Sequence, residues 1–301
     1  MRDRISSTTR RRFLACVTSL TILLLAAAPL YAAPPKVLLV VAHPDDEYTF
    51  AATVYRIAKE LGGSVDEVVI TDGAGGFHYS SLAEPIYGIQ LTQQEVARKA
   101  LPEIRRKETL AAGRVLGIGR HYFLEQKDVG FTLDPNEGPR QLWDTDRILS
   151  FLTKLLVKEK YGFVLTLLPT SDTHGHHQAA TWLALKAVAR LPTEARPAVL
   201  GGDPGLAAKP PSPFSGNSAL PITAVWPGAP VFTFDRNTPF GFNHELNYQI
   251  VVNWMIAEHK SQGLFQLSAN KHDVERYWLF EASGPGALTS ARNLFEALGP
   301  H

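Results

Sequence analysis

The chain has 301 residues, 45% hydrophobic and 20% charged, which is an ordinary globular composition. Its 30 basic and 29 acidic residues leave a net charge of +1, so no bulk electrostatic pull toward nucleic acid or an anionic membrane follows. Cys16 is the only cysteine, which excludes a disulfide framework and a thiolate metal centre; any metal must be held by histidine and carboxylate.

The N-terminus reads as an export signal. Residues 1–12 hold five arginines, residues 13–28 are mostly apolar, and small residues follow at 32–33. Thr9-Arg10-Arg11-Arg12-Phe13-Leu14 resembles a twin-arginine signal, which exports folded cargo. A signal over 1–33 and a single domain over 34–301 are therefore expected, with a periplasmic or extracellular destination. The apolar stretch is also about the minimum length of a membrane anchor.

From residue 36 the pattern alternates. Strands are expected at 36–42, 65–71, 121–124, 162–168 and 198–201, and helices at 48–61, 95–116, 141–160 and 178–190. A Gly- and Tyr-rich loop is expected at 73–94. Residues 202–230, rich in Gly, Pro, Ser and Ala, read as an insertion or ordered loop; an edge strand at 231–234 and helices at 246–262 and 288–298 close the chain. Strand and helix in alternation imply the α/β class: a Rossmann-like, three-layer α/β/α domain on a mainly parallel sheet. Ligands of such sheets sit beyond the carboxyl ends of the strands.

Two polar clusters lie at that end. The first strand runs directly into His43, Pro44, Asp45, Asp46 and Glu47. The strand at 162–168 runs into a loop bearing His174, His176 and His177. His43, Asp46 and His177 would form a His₂Asp site, three protein ligands with one position open, as in catalytic zinc centres. Iron or manganese would also suit these donors. Adjacent Asp45 and Asp46 cannot both easily reach one ion, so Asp46 is read as a ligand and Asp45 as a general base acting on water. His174 would polarise the scissile carbonyl or protonate the leaving group. Glu47 reads as structural, and His176 as a residue of the rim.

AHPDDE at 42–47, followed by a strand and H-x-x-H at 174–177, closely resembles the PIG-L (LmbE-like) zinc de-N-acetylases. The resemblance extends to Thr71-Asp72-Gly73-Ala74-Gly75-Gly76, to Arg105-x-x-Glu108 before Leu116-Gly117, to Phe123-Leu124 before Asp128, and to His259-Lys260-Ser261-Gln262. It implies an LmbE-like fold, a bound Zn2+ on His43, Asp46 and His177, Asp45 as the base, His174 as the oxyanion or acid group, and substrate contacts from Arg105 and Asp128. The reaction it implies is removal of acetyl from an N-acetylglucosamine-type substrate. Membrane contact would come only through the signal or a lipid-linked substrate. One departure stands out: the residue before the last histidine is usually aspartate in this family, and here it is His176. Phe77, Tyr79 and Tyr87 could form a platform for a sugar ring or equally serve as packing. A zinc amidase for a non-sugar amide and a non-catalytic sugar-binding protein are the alternatives; a binding protein would not need Asp45.

Overall fold

The first strand, β1 (Lys36–Val41), is apolar on both faces and buried almost throughout. In a computed structural model, which describes residues 33–263 and 271–299, it is an inner strand, the third of a seven-stranded sheet. The signal read at 1–33 falls, apart from Ala33, outside the described residues. Among the described residues no helix is long and apolar enough to cross a membrane.

The chain next forms helix α1 (Ala51–Tyr55), continued by a π-helical turn at Arg56–Glu60, then β2 (Ser64–Thr71), α2 (Gln94–Leu116) and β3 (Arg120–Gln126). Helix α3 (Thr145–Glu159), β4 (Phe163–Leu167), α4 (Gly175–Ala189) and β5 (Ala198–Gly205) follow. The chain closes with β6 (Phe232–Asp235), α5 (Tyr248–Glu258), β7 (Val274–Leu279) and α6 (Ala287–Leu298). The sheet order is β3-β2-β1-β4-β5-β7-β6. The first five strands are parallel; β7 runs antiparallel to both β5 and β6.

Side-chain alternation along β1 separates two cores. Val37, Leu39 and Val41 pack with Val54 of α1, Ile57 of the π-helical turn, Leu116 of α2, Val251 of α5 and Leu294 of α6. Leu38, Val40 and Ala42 pack with Leu152 of α3 and Leu183 of α4. Helices thus cover both faces, which explains why β1 carries no polar side. This is the expected α/β sandwich with a mainly parallel sheet.

Several boundaries differ from the expected ones. Helix α4 starts at Gly175 rather than 178, which puts His176 and His177 on its first turn. Helix α3 starts at Thr145, where Asp144 accepts a capping bond from the Arg147 N–H. Residues 74–87, expected as loop, form short helical turns. Strand β5 continues to Gly205, so the insertion begins inside the sheet. Strand β7 was not expected at all. Its sequence, VERYWL, carries two charges, yet all six residues are buried.

That burial is possible because Glu275 is fully bonded. It accepts from the backbone N–H of Ala52 (2.9 Å) and Thr53 (3.0 Å), from Arg236 Nε (3.0 Å) and from the Tyr277 hydroxyl (2.9 Å). It therefore fixes the start of α1, directly after the His-Asp-Asp loop. Glu275→Ala leaves the fully buried Arg236 guanidinium without its carboxylate. Loss of one partner of such a pair costs about 3–5 kcal/mol. We expect a shift of that size in the chemical-denaturation midpoint converted to free energy; a change under about 1 kcal/mol would show that water replaces the carboxylate.

Candidate active site

Strand order reverses between β1 and β4, which pair side by side, so the loops leaving their carboxyl ends meet at one cleft. His43 and His177 are 134 residues apart in sequence, and Nδ1 of the first lies 3.1 Å from Nε2 of the second. Asp46 Oδ1 is 3.1 Å from His177 Nε2, and Asp46 Oδ2 is 3.6 Å from His43 Nδ1. Ligand atoms about 2.0–2.1 Å from one ion at tetrahedral angles lie about 3.3 Å apart, so the His43–Asp46–His177 spacing fits a divalent cation. His43, His174 and His176 form a second possible group. His176 does not line the cavity, whereas His43, Asp46 and His177 all do. The open set is therefore the one with the carboxylate.

The loop is held in one conformation. Asp46 Oδ2 accepts from the N–H groups of Ala42 (2.9 Å) and His43 (2.7 Å), which turns the other oxygen toward His177. Asp45 has φ 120°, a left-handed region that non-glycine residues rarely occupy. Strain of this kind persists only where surrounding bonds enforce it. Here the Asp45 N–H donates to Glu47 Oε2 (3.0 Å), and Glu47 Oε1 meets His259 Nε2 at 2.6 Å. Gln262 donates to the Pro44 carbonyl (3.1 Å). Glu47 and His259 are both fully buried. Glu47 is thus the structural residue expected, and His259 is its partner.

Burial sets the electrostatics. It raises the Asp45 carboxyl to about 8, with the Asp46 charge adding to the effect. Burial also acts to raise Asp46, but His177 and His43 together outweigh it and hold that carboxyl well below the usual range. For His43, burial would lower the pKa, yet the Asp46 carboxylate pushes it up to about 9. The same field that favours a proton on His43 favours a metal cation in its place, and the two compete.

His174 caps the N-terminus of α4. Its Nδ1 accepts from the His176 N–H at 3.0 Å, which puts the ring proton on Nε2. Burial and the neighbouring imidazoles lower its pKa to about 2, so it is a neutral donor. His176, expected at the rim, is instead fully buried. Its Nδ1 lies 3.1 Å from His43 Nε2 and 3.7 Å from Asp128 Oδ1, with the Trp143 ring alongside. The reason is the early start of α4, which turns that side chain under the cleft.

Arg105 and Asp128 both line the cavity. Most of their bonding is to the protein itself. Arg105 donates to the carbonyls of Gly73 and Gly76 and to Ser261 Oγ. Asp128 accepts from the N–H groups of Gly75 (3.0 Å) and Gly130 (2.8 Å). A Cβ at residue 75 would lie 2.3 Å from Asp128 Oδ1, which accounts for glycine there. Arg105 and Glu108 meet through Ser261, whose hydroxyl donates to Glu108 Oε2 at 2.6 Å.

A family model described as GlcNAc-PI de-N-acetylase matches residues 38–188, half of the chain. The chain belongs to the PIG-L family. Among curated relatives, a probable N-acetyl-alpha-D-glucosaminyl L-malate deacetylase 2 from Bacillus cereus is 28% identical over 167 residues, covering 53% of this chain and 64% of that protein. Among solved structures, the N,N'-diacetylchitobiose deacetylase of Pyrococcus horikoshii is 27% identical, with 51% of this chain and 49% of that one covered at a TM-score of 0.38. A 4-carboxy-2-hydroxymuconate hydratase of Pseudomonas putida is 14% identical, with 81% and 95% covered at 0.48. The chain thus spans less than two thirds of the length of the first two relatives.

Within this PIG-L chain, the cavity holds about 280 Å³ and brings together His43, Asp45, Asp46, His174 and His177. Of the three aromatics at 77–87, open to a platform or a packing role, Tyr79 lines the cavity, and Phe77 and Tyr87 pack against a buried cluster that includes Leu91 and Leu101. The Tyr87 hydroxyl donates to Glu108 instead. Phe131, Asp203 and Gln262 line the cavity and were not expected there. Asp203 had a legible signal, a carboxylate following the apolar run at 198–202; Phe131 lies in a loop with none. Glu47→Ala should free the Asp45 backbone from its strained conformation. Supporting groups of this kind are worth about 10–100-fold in activity. On the hydrolase reading proposed below, kcat should fall by that factor with metal content unchanged; unchanged kcat would show that Glu47 does not position Asp45.

Proposed function

We propose that the protein is a metal-dependent hydrolase that removes the acetyl group from an N-acetylglucosamine-type substrate. The observation that carries this reading is the buried Asp45 carboxyl beside the His43–Asp46–His177 cluster, with the neutral His174 lining the same cavity. The family description and the name of the Bacillus relative support the acetamido sugar. His43, Asp46 and His177 would hold the ion; the donors suit zinc and also iron. The ion supplies Lewis acidity and lowers the pKa of water.

The protein's own groups do the rest. Asp45 takes a proton from the attacking water as oxygen bonds to the acetyl carbon. His174 Nε2–H donates to the carbonyl oxygen as negative charge develops on it. The C–N bond then breaks, the proton held by Asp45 passes to the departing nitrogen, and acetate and a free amine leave. A low His174 pKa fits a hydrogen-bond donor and not a general acid. Arg105 and Asp128 shape the cavity wall and are proposed to meet the sugar there.

Asp45 works only as a carboxylate. Its pKa, 3.8 ordinarily and about 8 when buried, is pulled back down by a nearby cation. Activity should therefore rise with pH along an acid limb below about 8, and the same limb persisting in Asp45→Asn would remove Asp45 as the base. The deciding experiment measures metal content by mass spectrometry and acetate release from N-acetylglucosamine. Native protein should carry one divalent ion per chain and release acetate. Asp45→Asn should keep the ion and lose activity by at least about 100-fold, and His177→Ala should lose both. Retention of full activity by Asp45→Asn would sink the mechanism.

We also propose export, on the strength of the Arg10-Arg11-Arg12 signal. Fractionation of expressing cells should find the chain outside the cytoplasm, shortened at its N-terminus. A full-length cytoplasmic product would reject the signal.

A further inference from the structure

The cavity does not end at the metal cluster. Thr170, Thr173 and Asp203 line both it and an adjoining groove of about 720 Å³. One wall of the groove is the loop between β4 and α4; another is residues 212–218 of the insertion.

That second wall is built into the site. Asn217 is 8% exposed, and its side-chain amide donates to the Pro169 carbonyl (3.1 Å) and to Gln178 Oε1 (2.9 Å). Its backbone N–H donates to Thr223 Oγ1 (2.8 Å), and its Oδ1 accepts from the Ala219 N–H (3.0 Å). Gln178 in turn donates to the Thr173 carbonyl (2.9 Å). The insertion is therefore bonded to the same loop and helix that carry His174 and His177.

The lining has a definite chemistry. It presents the hydroxyls of Ser171, Ser212, Ser215 and Ser218 and the carboxylates of Asp172 and Asp203, and among the described residues no lysine or arginine lines it. Arg276 acts on Asp203 from nearby, but its guanidinium donates to the carbonyls of Leu206 and Lys209. Hydroxyl and carboxylate acceptors bond sugar hydroxyls and amines, and repel carboxylates and phosphates.

We propose that this groove is a subsite for a second sugar, neutral or amino, linked to the N-acetylglucosamine unit in the cavity. The substrate is then a glycan and not an anionic conjugate such as a malate glycoside or a phosphoinositide. The proposal rests on the deacetylase reading of the cavity. It names the class of substrate, with the insertion as the specificity element.

The test separates the two. Calorimetry measures binding of N-acetylglucosamine, N,N'-diacetylchitobiose and N-acetylglucosaminyl malate to the metal-loaded Asp45→Asn protein. Acetate release from the same three is measured with the native enzyme. The disaccharide should bind about tenfold tighter than the monosaccharide, the effect of one or two added hydrogen bonds. The malate conjugate should bind more weakly than the monosaccharide. Asp172 is exposed, so its substitution spares the fold. With Asp45→Asn, the additional change Asp172→Lys should reduce the disaccharide advantage and strengthen malate-conjugate binding. Asp172→Asn should relax the discrimination against malate while keeping the disaccharide preference. Equal binding of mono- and disaccharide, or tightest binding of the malate conjugate, overturns the subsite even if all three are deacetylated. If the disaccharide binds best but no acetate is released, the subsite stands and the deacetylase reading fails.

Discussion

Two adjacent carboxylates, Asp45 and Asp46, are buried at the end of one strand, and the rest of the site answers to that constraint. Like charges in a cleft are unfavourable unless a cation joins them or one takes a proton. The protein separates their situations. Asp46 is held by two backbone N–H groups and faces two histidines, so it stays ionised. Asp45 lacks such direct compensation at its carboxyl, so burial and its neighbour raise its pKa. One is suited to hold a cation and the other to exchange a proton, although they are consecutive in sequence.

Keeping these roles apart requires a strained backbone, and the strain is held by groups from far along the chain. Glu47 and His259 meet across 212 residues, and Gln262 holds the Pro44 carbonyl. Arg105 spreads its donors over the carbonyls of the 73–76 loop and Ser261, which draws that loop, helix α2 and the 259–262 segment together. Residues that look like substrate contacts in sequence thus bond the framework that surrounds Asp45. Such a site is sensitive to substitutions that touch neither metal nor substrate.

The insertion at 202–230 plays a comparable part on the other side of the cleft. It begins within β5, so its first residues are fixed by the sheet. Asn217 then bonds it back to the histidine-bearing loop. On the proposed reading, a polar wall assembled this way would set which group is accepted beyond the cavity while leaving the His43–Asp46–His177 cluster alone.

The sequence by itself determined the α/β class and the PIG-L resemblance, because apolar runs at two periods and AHPDDE with a distant H-x-x-H are local patterns. It also placed His43, Asp45, Asp46, His174 and His177 just beyond two strands, and the parallel-sheet rule put those strand ends on one edge, although His177 proved to sit on the first turn of α4 and not in the loop before it. It did not reveal β7, since the charges of Glu275 and Arg276 mark an exposed segment until their buried partners are known. It misplaced His176, because helix α4 begins three residues before the apolar pattern announces it. The proton position on His174, the φ of Asp45 and the groove beside the cavity were decided only in three dimensions. Each depends on a hydrogen bond or a wall supplied by a segment remote in sequence, or on a helix turn whose start the pattern does not mark, and no local pattern records which remote group arrives.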